Sequence, residues 1–166
     1  MPEGKYHNFN IGKLWNAMED KRDSKGFTKK QMMDDLNAVN NQVIRMSIET
    51  VTGMVGRNNT TCQHALHMCR WLDRTPESFL DGVHITEPLP FPANGRLYWS
   101  MPALAKAVKD RKESQELTWK QLAQELNCSQ SQVSGLHRIT YGVSIHLAMR
   151  ITQWLEQPSI NYIVLI

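Results

Sequence analysis

Long apolar runs are missing from this 166-residue chain. No stretch approaches the ~18 consecutive apolar residues of a membrane span. The opening MPEGKYHNFN also lacks the apolar core of a secretory signal. Cysteine is scarce: Cys62, Cys69 and Cys128 form neither a disulfide framework nor a repeated CxxC zinc pattern. With 9 glycines and 7 prolines the chain is neither collagen-like nor of low complexity, and 41% hydrophobic against 21% charged residues excludes wholesale disorder. Strand signals are nearly missing too, the apolar tail 162–166 being the exception. There is no glycine-rich phosphate loop, HExxH or nucleophile elbow. The adjacent acids Glu19-Asp20 and Asp34-Asp35 diverge on a helix and read as solvated surface. A soluble, cytoplasmic protein with no enzymatic activity, no cofactor and no membrane partner is expected.

What is present is charge of uneven distribution. The net charge is +3; residues 1–90 carry 11 basic and 11 acidic side chains, and residues 91–166 carry 8 and 5. The positive excess lies wholly in the C-terminal half, which suits a polyanionic partner there.

The chain also repeats itself. Leu14, Ala17, Asp20, Thr28, Lys30, Gln31 and Leu36 recur 90 positions later as Leu104, Ala107, Asp110, Thr118, Lys120, Gln121 and Leu126. Further on, Ser47, Val51 and Gly53 answer Ser129, Val133 and Gly135, and Trp71-Leu72 answers Trp154-Leu155. The first copy therefore holds about eight extra residues between Leu36 and Ser47. Two copies point to duplication of one unit. This divides the chain into an N-terminal arm (1–10), a first domain (11–81), a linker (82–100) with three prolines and two glycines, and a second domain (101–166).

Helix signals are clearest in the second copy. Ser100 caps a helix with Leu104, Ala107 and Val108 on its inner face; Thr118 caps the next, with Leu122, Ala123 and Leu126 inward. Asn127 tolerates the left-handed conformation of a tight turn. Ser129 then caps a short helix with Val133 and Leu136 inward, and Ser144 caps one running to about Leu155, stopped by Pro158.

The series Leu117-Thr118-x-x-x-Leu122-Ala123-x-x-Leu126-Asn127-x-Ser129-x-Ser131-x-Val133-Ser134 resembles the helix-turn-helix of the phage Cro and repressor (xenobiotic-response-element) family. The resemblance covers 102–160 well and 11–80 more weakly through the repeat. It implies an all-α chain of two tandem helix-turn-helix domains, four to five short helices each, from a bacterial, phage or mobile-element setting. Trp119 stands where the family has a phosphate-binding Gln, and His137 where Glu is usual.

The residues support the same reading. A helix ending at Leu126 and another starting near Gln130 let the second protrude, presenting Gln130, Ser131, Gln132 and Ser134 without acidic charge. Gln can bond bidentately to adenine in the major groove, and Ser can serve several bases or phosphates. Thr118, Lys120, His137 and Arg138 flank this face, where phosphate contacts are common. In the first copy the corresponding helix is 48–53, with Thr50 and Thr52 as candidate contacts, Glu49 able to accept from cytosine N4, and Arg45, Arg57, Asn58 and Asn59 placed for phosphates.

The segment Cys62-Gln63-His64-Ala65-Leu66-His67-Met68-Cys69 invites a metal reading. On a helix, however, 64 points well away from the face of 62 and 69, so four ligands cannot converge; buried structural cysteines are expected. The fourth helix of each copy carries a second apolar stripe, with Leu147, Ile151 and Trp154 in one and Met68 and Trp71 in the other. Cover by a following short helix, by the other copy or by a second chain would each satisfy it.

The function expected is sequence-specific binding of double-stranded DNA by a nucleoid-associated transcriptional repressor or autoregulator. The alternative is a helix-turn-helix-derived interaction module, such as an anti-activator. Two units in one chain can mimic a symmetric dimer with recognition helices ~34 Å apart, and the 19-residue linker reaches about 60 Å. A homodimer meeting at the stripes around Trp71 and Trp154 is the favoured assembly.

Overall fold

The computed structural model describes residues 5–41, 45–139 and 142–166. Its first half contains α1 (Ile11–Lys25), α2 (Lys29–Val39), α3 (Ile48–Arg57) and α4 (Cys62–Leu72), then a 3-10 turn at Pro76–Phe79. The second half contains β1 (Leu97–Trp99), α5 (Met101–Ser114), α6 (Trp119–Leu126), α7 (Gln130–Ser134) and α8 (Ile145–Leu155), with 3-10 turns at Leu136–Arg138 and Ser159–Tyr162, and β2 (Ile163–Leu165). The chain is mostly helical, with one small antiparallel sheet pairing Leu97 with Leu165, Tyr98 with Val164 and Trp99 with Ile163. β2 falls in the apolar tail singled out in the sequence; β1 lies in the stretch read as linker.

Local chemistry sets the helix limits. Thr28, Thr118 and Ser129 each form a reciprocal capping box with the Gln three residues on: Gln31, Gln121 and Gln132. The side chains of Ser47, Thr61, Ser100 and Ser144 cap α3, α4, α5 and α8. Each such cap is worth ~1 kcal/mol. Gly26, Asn58, Asp73, Asn127 and Glu156 end their helices in the left-handed conformation, as C-terminal caps commonly do.

The duplication is visible in packing as well as in sequence. Trp71 Nε1 donates to Asp35 Oδ2 at 2.8 Å, and Trp154 Nε1 donates to Glu125 Oε2 at 2.8 Å. A cation covers each indole: Lys21 lies 4.4 Å from the Trp71 ring centre and Arg111 lies 5.3 Å from that of Trp154. Each cation also donates to a backbone carbonyl at the end of the same fourth helix, Lys21 to Trp71 O and Arg111 to Leu155 O. Helices one, two and four of each half are thus tied by the same base–indole–acid arrangement.

The two halves share one hydrophobic core, and α4 packs on α8. The stripe's tryptophans are covered within their own copies, Trp71 against Lys21 of α1 and Asp35 of α2 and Trp154 against Arg111 of α5 and Glu125 of α6. Trp71 is 1% exposed and Trp154 5%, so the tryptophans expected at a contact between chains lie inside this one. The segments flanking the halves are packed as well. Phe9, in the stretch read as an arm, is buried and forms a β-bridge with Leu80. In the 82–100 stretch, Leu89, Leu97 and Trp99 are buried. Thr75 N donates to Glu87 O, and the Arg70 guanidinium donates to the Pro92 and Ala93 carbonyls. The segment joining the halves is therefore a packed strap. Pro92 fits because its partner uses its carbonyl, which proline retains.

Gly142 has φ +100°, and a Cβ there would overlap Cys62 Sγ. Gly142→Ala is expected to cost about 1–3 kcal/mol, from backbone strain and from displacement of the α4 N-terminus. The shift of the urea midpoint against wild type measures it.

Candidate nucleic-acid interface

The candidate interface starts from α6, a three-residue turn and α7. Asn127 takes φ 52° and ψ 53° and closes α6 with its N–H on the Ala123 and Gln124 carbonyls. The chain can then reverse within Asn127, Cys128 and Ser129, and Ser129 restarts it as α7. Leu122, Ala123, Leu126, Val133 and Leu136 point into the core. Arg150, from α8, donates to the Leu126 and Asn127 carbonyls at 2.7 and 3.1 Å and holds the turn from behind. That arrangement leaves the outer side of α7 in solvent.

Gln130, Ser131 and Gln132 are exposed and Ser134 is half-buried. Their polar atoms are not equally available. Gln132 Oε1 accepts from Ser129 N at 2.8 Å and from Ser129 Oγ at 3.1 Å, so this amide cannot offer both its oxygen and its nitrogen to a base without giving up the cap. Ser131 Oγ lies 3.2 Å from Ser129 Oγ. Among the described residues, the exposed Gln130 side chain has no hydrogen-bond partner, so its amide is less committed than the polar groups of Gln132 and Ser131. Thr118 is likewise engaged as a cap, its Oγ1 accepting from Gln121 N. Lys120, His137 and Arg138 are exposed, with Arg138 Nε 3.4 Å from His137 Nε2.

Trp119 does not point into solvent. It is half-buried under Lys112, whose Nζ is 4.7 Å from the ring centre. With Ala105, Lys109, Val133, Ser134 and His137 it lines a groove of about 570 Å³ between α5 and α7. Lys109 and the groove were not legible as site features, because their placement depends on how α5 crosses α7.

The first half differs. α2 runs one turn beyond its counterpart, and the buried Asn37 amide fastens the extended connection by bonding both Met46 O and Met46 N, at 3.0 and 2.8 Å. Residues 42–44 of the stretched turn lie outside the described residues. Arg45 is exposed, 3.9 Å from Asp34. On α3 the hydroxyls expected to reach DNA are turned to the backbone and cap: Thr52 Oγ1 donates to Ile48 O at 3.0 Å, and Thr50 Oγ1 sits 3.2 Å from Ser47 Oγ. Glu49 and Arg57 are exposed, the Arg57 guanidinium lying over Gly53 in space that a Cβ would occupy. Asn58 O and Asn59 Oδ1 are occupied by the second half, meeting His146 Nε2 at 2.7 Å and Ser144 Oγ at 2.7 Å. The structure therefore separates the candidates. Gln130, Lys120, His137 and Arg138 stay accessible around α7, and Glu49 and Arg57 around α3.

Cys62 and Cys69 are fully buried, and burial pushes both thiols up, Cys62 to about 12. Among the described residues no three His, Cys, Asp or Glu side chains converge as a metal site, and no helix is long and apolar enough to cross a membrane. No protein-family model matches this chain, nor does any curated protein or solved structure.

Proposed function

We propose that this protein is a sequence-specific double-stranded DNA-binding transcriptional regulator built from two tandem helix-turn-helix units, acting as a repressor or autoregulator by occupying its site. One observation carries the reading. The α6–turn–α7 unit presents a short helix whose outward residues are Gln130, Ser131, Gln132 and Ser134, free of acidic charge and flanked by Lys109, Lys120 and Arg138. Amide and hydroxyl groups on a protruding helix suit base edges in the major groove, and the flanking cations suit the phosphates beside it. The Trp71 and Trp154 stripes, expected as a homodimer contact, are buried within the chain and offer no surface to a second copy.

Electrophoretic shift of duplex DNA, beginning with the region upstream of the gene, tests it. Saturable binding that resists nonspecific competitor is the expected result; absence of binding would leave the interaction-module reading, for which the apolar groove beside Trp119 is the specific support. On a selected site Gln130→Ala is expected to cost about 1–3 kcal/mol, with little loss on random DNA. Equal weakening on both would reduce Gln130 to a backbone contact. Gln132→Ala should act mainly on stability, by ~1 kcal/mol, through the lost cap.

A further inference from the structure

We infer that one chain is a built-in dimer, spanning a bipartite duplex whose two half-sites are equally placed but unlike in sequence. The inference rests on the DNA-binding reading above and adds stoichiometry and operator form to it.

Two reciprocal backbone bonds mark the seam between α4 and α8. Cys62 N donates to Val143 O at 2.8 Å, and Ile145 N donates to Thr60 O at 2.9 Å. In the repeat that aligns Trp71 with Trp154, Thr60 corresponds to Val143 and Cys62 to Ile145. Exchanging the halves converts each bond into the other. A head-to-tail contact joins unlike patches, so this self-reciprocal pair is the mark of a local two-fold axis.

A second, separate exchange agrees. The leading segment of each half lies on the fourth helix of the other. The Gln63 amide, on α4, bonds Leu97 O at 2.9 Å and Trp99 N at 3.0 Å in the second half. His146, the α8 residue equivalent to Gln63, meets the ring of Phe9 edge-on at 6.4 Å, and Phe9 is the counterpart of Trp99. Gln153 brackets His7, the counterpart of Leu97, accepting from its N–H at 2.8 Å and donating to its carbonyl at 3.0 Å.

A two-fold rotation leaves the component of position along its axis unchanged. The parts of α3 and α7 that correspond therefore lie at one level along the axis and incline to the same side. A groove over the seam is lined by Glu49, Thr50 and Arg57 of α3 together with Ser144 of the other half, which sets α3 beside the axis. B-DNA has two-fold axes of its own, and proteins that read it as dimers place equivalent helices in successive major grooves. Here both helices come from one chain, and the surface on which two copies would otherwise meet is already filled from within.

The two readers are not alike. With Ser47 aligned on Ser129, Ile48 stands where the other half has Gln130, and Glu49 stands where it has Ser131. Gln pairs with adenine and Glu accepts from cytosine N4, whereas Ile48 packs against the core. A symmetric operator would satisfy only one of the two helices.

The test is selection of duplexes from a random pool with the full chain, followed by light scattering of the purified complex. The expected result is one chain per duplex and a motif with two unlike blocks centred about 10 base pairs apart. Gln130→Ala should relax one block and Glu49→Gln the other, each losing roughly ten- to hundredfold discrimination there; both positions are exposed, and circular dichroism checks that the fold is kept. Two chains per duplex, a palindromic motif or a single block would overturn the built-in dimer and leave the DNA-binding reading standing. Failure to enrich any duplex would overturn both.

Discussion

Trp154→Ala is expected to destabilise the protein by about 3–5 kcal/mol, the range for deleting a large buried aromatic. The side chain is 5% exposed, so truncation leaves a cavity between α6 and α8 as well as removing apolar contact. Glu125 loses its indole donor and keeps Lys5 as its ion-pair partner, at 3.4 Å and well exposed to solvent, a pair worth little by itself. Arg111 loses the ring beneath its guanidinium but keeps the Leu155 carbonyl. Trp154→Phe should cost clearly less, since it preserves most of the packing and forfeits the Nε1 hydrogen bond. Because Lys21, Trp71 and Asp35 repeat the arrangement, Trp71→Ala should fall in the same range. Urea denaturation followed by far-ultraviolet circular dichroism measures all three; an alanine variant within about 1 kcal/mol of wild type would refute the assignment of these indoles as structural ties. Light scattering should show no change of oligomeric state in any variant that stays folded, because these rings face the chain's own interior.

How far the sequence could be read follows from the range of the interactions involved. Caps act over three or four residues, so Thr118 and Ser129 located the starts of α6 and α7 and Asn127 the end of α6. The end of α7 was not legible, since that helix stops at Ser134 and Leu136 opens a separate 3-10 turn. The internal repeat placed the two tryptophans in equivalent positions before any packing was known. Interactions between distant segments left weaker traces. Pro- and Gly-containing residues 82–100 read as a linker, and Arg70, Asp73 and Gln63 hold that segment through its backbone groups. Those bonds depend on main-chain atoms, which composition does not encode. The same limit applied to the candidate interface. Exposure of Gln130 followed from periodicity, whereas the diversion of Gln132 to Ser129, and of Thr52 to Ile48, is competition between a ligand and the local backbone. Ser, Thr and Gln near helix starts are prone to that competition.

Mild acid should destabilise the protein, with His67 the main cause. This histidine is fully buried on the face of α4 that meets β1. Gln63 Nε2 stands 3.0 Å from its Nε2 while also serving Leu97 O. An amide nitrogen can only donate, so His67 Nε2 accepts and the ring is neutral with its proton on Nδ1. A second proton would sit opposite that donor, and Nδ1 has no partner among the described residues. Burial first, then the neighbouring His64 and the Arg70 guanidinium, push the His67 pKa down to about 4. His64 shifts the same way, through burial and then Arg57. Between pH 4 and the ordinary histidine value of ~6.5 the unfolded chain therefore binds more protons than the folded one, and stability falls as the pH is lowered. The His67 contribution is complete above ~6.5 and lost progressively down to about pH 4, amounting to about 3 kcal/mol at one unit per 1.4 kcal/mol. His67→Gln keeps a polar side chain beside Gln63 and removes the titration. Its stability, from urea midpoints at several pH values, should vary much less over this interval than that of wild type. Equal slopes for the two proteins would mean that His67 is protonated in the fold, and the Gln63–His67–Leu97 arrangement would then have to be wrong.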